Sequence, residues 1–136
     1  MHAMRAPNVK PAFIFPYALF ALLVLFGLTS GASAAPAKTQ REVTHLLAYL
    51  ESSGCDFQRN GSWHKAKQAR AHLEKKYHYL DKRALIGSAE DFISRAASAS
   101  SMSGEKYLVR CPGGKAVTSA SWLSLELQRY RGRPAQ

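Results

Sequence analysis

The chain holds two cysteines, Cys55 and Cys111, and whether they join decides what it can fold into. Cys55 opens the stretch Cys55-Asp56-Phe57-Gln58-Arg59-Asn60-Gly61-Ser62-Trp63, which also carries the strongest turn signal in the chain. A bond from there to Cys111 would tie two remote segments into one covalent and packing hub. For a loop this long, the entropy removed from the unfolded chain is worth about 4 kcal/mol, less any native strain. Small domains are stable by only about 5–15 kcal/mol, so such a link would count heavily. Disulfides persist in oxidising compartments, which makes the location of the protein the next question.

The N-terminus answers it with three zones in the order of an export signal. Arg5 and Lys10 are the only charges before residue 35, an apolar run follows from Ala12 to Leu28, and small residues occupy 29–35. Ala32-Ser33-Ala34 fits the small-x-small cleavage pattern, and a cut after Ala34 keeps Pro36 away from the scissile bond. An uncleaved anchor is the competing reading, because the apolar run sits at the short edge of a spanning helix. With no cysteine near the junction, lipid attachment there is excluded. The expectation is a periplasmic protein with residues 1–34 removed, and no integral span afterwards. In that setting two cysteines are expected to pair, with two free thiols as the alternative.

The net charge is +10, and every acidic residue lies after the leader, so the basic balance belongs to the domain itself. At 136 residues the chain has room for one ordinary domain. Residues 35–40 lack periodicity and read as a disordered leader. Residues 41–132 read as a single small domain and 133–136 as a tail. Val43, Leu46, Leu47 and Leu50 draw one apolar stripe on a helix from about Gln40 to Ser53, which Gly54 would end. Asn60-Gly61 favours a type I′ turn, setting Gln58 opposite Trp63 and Phe57 opposite His64 in a short hairpin. A tight loop with Ser62 capping the next helix is the alternative.

That next helix, from about Lys65 to Tyr79, has Ala66, Ala69, Leu73, Tyr77 and Leu80 on its buried side. Ser88-Ala89-Glu90-Asp91 resembles a capping box that starts a third helix, with Phe92, Ile93, Ala96 and Ala97 as its apolar face. Residues 98–104 form a small-residue loop, Tyr107–Cys111 reads as a strand, and Pro112-Gly113-Gly114 breaks it. Thr118 or Ser119 caps a last helix to about Arg131, carrying Leu123, Leu127 and Tyr130. Pairing of the cysteines would bring the 107–111 strand beside the hairpin. The expected fold is α+β: about four helices around a two- or three-stranded antiparallel sheet with one disulfide.

Taken together, several motifs resemble a known family. They are S-G-C-x-F-x-R-N-G at 53–61, A-x-x-H-L-x-x-K-Y at 69–77, S-A-E-D-F-I at 88–93, S-x-S-S-M-S-G-x-x-Y-x-V-x-C at 98–111 and S-x-x-W-L-x-x-E-L-x-x-Y-R at 119–131. This order is similar to that of the YfeK-like family of small proteins exported to the periplasm of Gram-negative bacteria. The resemblance implies a periplasmic location and supports the pairing of Cys55 with Cys111. It brings no known activity, so no catalytic role transfers.

No complete catalytic set appears in the chain. His45, His64, His72 and His78 include no pair at the i, i+4 spacing of a helical zinc site, so no metal or other cofactor is expected. Ser103-Gly104-Glu105-Lys106 matches S-x-x-K, but that chemistry needs the serine at a helix start, and here a glycine and a strand follow. The hydroxyls of the 98–103 loop, Ser101 and Ser103 among them, could donate hydrogen bonds to an anionic or sugar ligand. A tight turn with capping serines is the favoured reading of them.

The basic segment is the strongest physical signal. Lys65, Lys67, Arg70, Lys75, Lys76, Lys82 and Arg83 are interleaved with His64, His72, Tyr77 and Tyr79. Such a field concentrates anionic partners near the surface, although a solvated helix face would look the same. Export argues against nucleic acid and favours an anionic envelope component or an acidic protein. The expectation is therefore a non-enzymatic binding module using Arg59, Trp63, His64, Lys67, Arg70, Lys75, Lys76, Lys82 and Arg83, with Ser101 and Ser103 nearby. The alternatives are a small envelope hydrolase or transferase using a serine of the 98–103 loop, and a structural subunit of an envelope assembly.

Overall fold

The computed structural model describes residues 33–132. Apart from Ser33 and Ala34, the export signal read at 1–34 lies outside the described residues, as does the tail at 133–136. Within them the fold is α+β, with four helices and one four-stranded antiparallel sheet. The elements are α1 (Ala37–Ser52), β1 (Asp56–Arg59), β2 (Ser62–Lys65), α2 (Ala66–Asp81), α3 (Ala89–Arg95), β3 (Leu108–Arg110), β4 (Val117–Thr118) and α4 (Ser119–Arg131).

Helix α1 is the centre of the packing and touches α2, α3 and α4. Its apolar stripe is buried in full at Val43, Leu46, Leu47 and Leu50, as the 3.6-residue spacing requires. Leu73 and Tyr77 come from α2, Phe92 and Ile93 from α3, Leu123 and Leu127 from α4, and Phe57 and Val109 from the sheet. Each large apolar side chain buried here contributes roughly 1.5–3 kcal/mol of transfer free energy. Tyr77 meets Phe92 edge-on at 5.8 Å, which joins α2 to α3. Gly54 follows α1 with φ +68°, the left-handed conformation that closes a helix and delivers Cys55 to the sheet.

The hairpin has the expected register, with Phe57 opposite His64 and Gln58 opposite Trp63. Asn60 and Gly61 both take positive φ, as a type I′ turn demands. Ser62 is the first residue of β2, so the alternative of Ser62 as a helix cap falls away. Cys55 and Cys111 are disulfide-bonded, and β3 runs antiparallel to β1 with Phe57 opposite Val109. The sheet order is β2-β1-β3-β4.

Two expectations change. The sheet gains a fourth strand, because Val117–Thr118 pairs with Leu108–Val109. Two residues are too few to show an alternating pattern, so tertiary pairing alone makes this strand. The stretch 35–40 is ordered and not a disordered leader: α1 begins at Ala37, and Ala35 is buried. The anchors are long-range and polar, as when Thr39 Oγ1 donates to the Gly87 carbonyl at 3.0 Å, and hydrophobic periodicity carries no trace of them.

The cap of α3 is as read, with the Ser88 hydroxyl accepting from the Asp91 N–H at 3.1 Å. The Asp91 carboxylate, being shorter than Glu, reaches back to the Gly87 N–H at 3.0 Å. Of the two expected positions it is Thr118 that caps α4, accepting from the Ser121 N–H.

Candidate functional site

Alternation along the strands decides which hairpin side chains face the helices. Phe57 and Arg59 lie on the face that α2 covers, while Asp56, Gln58, Trp63 and Lys65 belong to the other. Phe57 is fully buried, but Arg59, one step nearer the turn, reaches the margin of that cover. Between the hairpin and α2 this leaves a cleft of about 260 Å³, with Phe57, Ala69 and Leu73 as apolar wall and Arg59, His64 and Gln68 as polar rim. His72, Tyr107 and Ser119 line it as well.

Its polar side is a chain of hydrogen bonds. Arg59 Nη1 lies 2.5 Å from His72 Nδ1. A guanidinium can only donate, so Nδ1 accepts and the imidazole proton sits on Nε2. That proton is donated to the Tyr107 hydroxyl at 3.1 Å. Lys76 Nζ donates to the same hydroxyl at 3.3 Å and to the Ala99 carbonyl at 2.9 Å. The Tyr107 oxygen thus accepts twice, and its own O–H is available to an occupant of the cleft.

The electrostatics follow from burial and from the two cations. Burial, reinforced by Arg59 and Lys76, pushes the His72 imidazole down to about 4, so it is neutral at physiological pH. Burial lowers the Lys76 ammonium, and Arg59 lowers it further. Burial raises the Tyr107 phenol against the pull of Arg59. Among the described residues, no carboxylate lies within ion-pair distance of Arg59 or Lys76. Several other arginines are compensated: Arg70 by Glu51 and Glu74, Arg110 by Asp56, and Arg131 by Glu42 and Glu90. The cleft thus sets two cations without a carboxylate partner and a phenolic donor beside an apolar wall.

The residues singled out from the sequence are only partly brought together here. Arg59 and His64 line the cleft, and Lys76 turns inward behind it. Trp63 is on the opposite sheet face, where Arg110 lies 4.2 Å over its ring. Arg70 is held by Glu51, and Arg83 stacks at 3.6 Å on Tyr79. Lys67, Lys75 and Lys82 are exposed at separate places along α2 and its end. The basic segment therefore divides into an inward Lys76, a paired Arg70 and exposed lysines.

The serine loop is a structural turn. Ser98 donates to the Ile93 carbonyl at 2.7 Å, the Ser100 hydroxyl accepts from the N–H groups of Met102 and Ser103, and Ser103 donates to Asn60 Oδ1 at 2.8 Å. Ser101 is exposed. Ser103 and Lys106 are joined by a turn and an isolated bridge, without the helix that S-x-x-K chemistry requires.

Tyr107 and Ser119 went unrecognised as site residues, His72 was noted only within the basic run, and Lys76 was named for its charge alone. One signal was present. His72 and Lys76 are spaced i, i+4, and each directly precedes a buried residue, Leu73 and Tyr77. They therefore flank the buried stripe and lean toward the sheet. Among the described residues no cluster of His, Cys, Asp or Glu could hold a metal ion, and no helix is long and apolar enough to cross a membrane.

Residues 37–131 match a protein family described as a family of unknown function, DUF5329. No curated protein and no solved structure matches the chain.

Proposed function

The chain belongs to the DUF5329 family, and from that premise we propose that it is an exported, non-enzymatic module that binds an anionic envelope component in the cleft between the hairpin and α2. The observation that carries this reading is the convergence of Arg59 and Lys76 on His72 and Tyr107 without any carboxylate beside them. A half-buried cation without a counter-ion is costly, and an anionic ligand would supply the missing charge. The cleft is smaller than the 300–1,000 Å³ of most small-molecule sites, so it takes a headgroup-sized ligand or the end of a longer one. Within the family we place the chain with the YfeK-like periplasmic proteins, on the motifs quoted above and the export signal at 1–34. The exposed Lys67, Lys75 and Lys82 would raise the local concentration of anions without touching the ligand.

Native mass spectrometry of the protein isolated from the periplasm, followed by titration with inorganic phosphate and with short-chain phosphate and carboxylate amphiphiles, tests this reading. The expected result is saturable binding of an amphiphile, weakened at least tenfold by Arg59→Gln and by no more than about twofold by Lys82→Glu at 0.15 M salt. Equal binding by wild type and Arg59→Gln would overturn the cleft as the site.

A further inference from the structure

Ala35 is 4% exposed, although it precedes the first helix and both its neighbours, Ala34 and Pro36, are exposed. Its methyl group joins the apolar core, although it has little surface to bury. The directional contacts that hold Ala35 are polar. Its backbone nitrogen donates to Asp81 Oδ1 at 2.7 Å, and its carbonyl accepts from Gln40 Nε2 at 2.6 Å. Asp81 is the last residue of α2, the end of a helix where the macrodipole disfavours a carboxylate. No cationic side chain lies within ion-pair distance of it among the described residues, although Lys82 and Arg83 follow directly. The Asp81 carboxylate is thus aimed at a main-chain nitrogen, and that nitrogen belongs to the bond following Ala32-Ser33-Ala34.

We propose that Ala35 is the first residue of the mature protein and that Asp81 is the built-in counter-ion of its α-ammonium group. This rests on the export part of the proposed function and not on anion binding. Hydrolysis of the Ala34–Ala35 peptide by a peptidase of the export machinery adds one water across the amide. The hydroxyl oxygen goes to the Ala34 carbonyl carbon, and the nitrogen leaves protonated as –NH₃⁺, so the products are one carboxylate and one ammonium. One N–H of that ammonium keeps the bond to Asp81 that the amide makes now. A hydrogen bond charged only on its acceptor thereby becomes an ion pair charged on both sides. Removal of the signal therefore keeps the contact and gives it a second charge.

The test expresses the full-length chain with its own N-terminal segment, exports it, and compares wild type, Asp81→Asn, an insertion of Gly-Ser between Ala34 and Ala35, and the two changes combined. Intact mass should show wild type beginning at Ala35. The insertion leaves the cleavage pattern intact but moves the new ammonium away from Asp81, and should lower Tm by about 5 °C. In the Asp81→Asn background the same insertion should have almost no effect. An amine-reactive label at neutral pH should spare the Ala35 α-amine of wild type and modify that of Asp81→Asn. A mature chain that starts elsewhere or retains its leader overturns the assignment. Additive effects of the two changes overturn the ion pair. Failure of anion binding would leave all these results standing.

Discussion

Arg59 Nη1 stands 2.5 Å from His72 Nδ1, so a permanent cation on the hairpin is held against an imidazole on α2. The contact exists only while His72 is neutral, because a protonated imidazole has no lone pair to offer. Its pH response has a definite sign. The folded-state value of about 4 lies below the ordinary value of 6.5, so between those pH values the unfolded chain binds the proton and the folded chain does not. Stability should therefore fall as pH drops from about 6.5 to about 4. Urea melts across this window should show the loss, and His72→Gln should flatten it.

The same group should tune ligand binding. An anion in the cleft favours the imidazolium, so by linkage its affinity should rise as pH falls through the same window. Titrating a phosphate amphiphile at pH 7.5 and pH 5 should show tighter binding at the lower pH for wild type. The His72→Gln variant should bind alike at both.

Arg131, near the end of α4, ties three helices together. Its guanidinium bonds Glu42 of α1 at 2.8 and 2.9 Å and Glu90 of α3 at 2.5 and 3.1 Å. Hydrogen bonding to Arg131 holds the carboxyls of both glutamates below their ordinary values. Glu42 is buried, so Arg131→Met strands a carboxylate in the interior. The expected cost is roughly 1–3 kcal/mol, reduced from that of a fully buried pair because Arg131 is part-exposed. Adding Glu42→Gln should recover part of it in the same melts.

Removing the cysteine link should cost more than any single surface change. A Cys55→Ser, Cys111→Ser double variant loses the bond that pins β3 beside β1, and about 2–4 kcal/mol is expected. The denaturation midpoint of the oxidised wild type should drop to match that variant when a reductant is added. A midpoint insensitive to reductant would show that packing alone holds the two strands.

Gly61 sits at φ +77° in the hairpin turn with open space where a Cβ would stand. The penalty of Gly61→Ala is therefore one of backbone conformation alone, and about 1 kcal/mol is expected. The hairpin forms one edge of the cleft, so anion affinity and Tm should fall together in this variant.

Much of the fold was legible because it is written in local chemistry. The i, i+3, i+4, i+7 stripe of Val43, Leu46, Leu47 and Leu50 needs a helix with one dry face. Asn60-Gly61 allows the tight turn that its neighbours would resist. Given an oxidising compartment, two cysteines imply a link, and the link implies that residues 107–111 lie beside the hairpin. Each inference uses residues close in sequence or one covalent bond.

The site was less legible because its parts are remote. Arg59, His72, Lys76 and Tyr107 come from β1, α2 and the segment before β3, and nothing in their sequence spacing announces a shared hydrogen-bond chain. The basic run from Lys65 to Arg83 looked like one surface in sequence. In the fold Lys76 turns inward, and ion pairs with Glu51 and Glu74 neutralise Arg70. Short elements also escaped, since the two residues of β4 gain their strand character only from Leu108 and Val109.

By itself, then, the order of residues pointed to the four helices, the hairpin register and the cysteine partnership, because periodicity, turn dihedrals and a single possible intrachain pairing act locally or leave few solutions. Tertiary structure alone decided that Lys76 turns inward, that Trp63 and Arg59 part to opposite faces of the sheet, and that Ala35 docks on Asp81. These depend on which surfaces exclude water and which charges find a counter-ion, and only the assembled chain sets that.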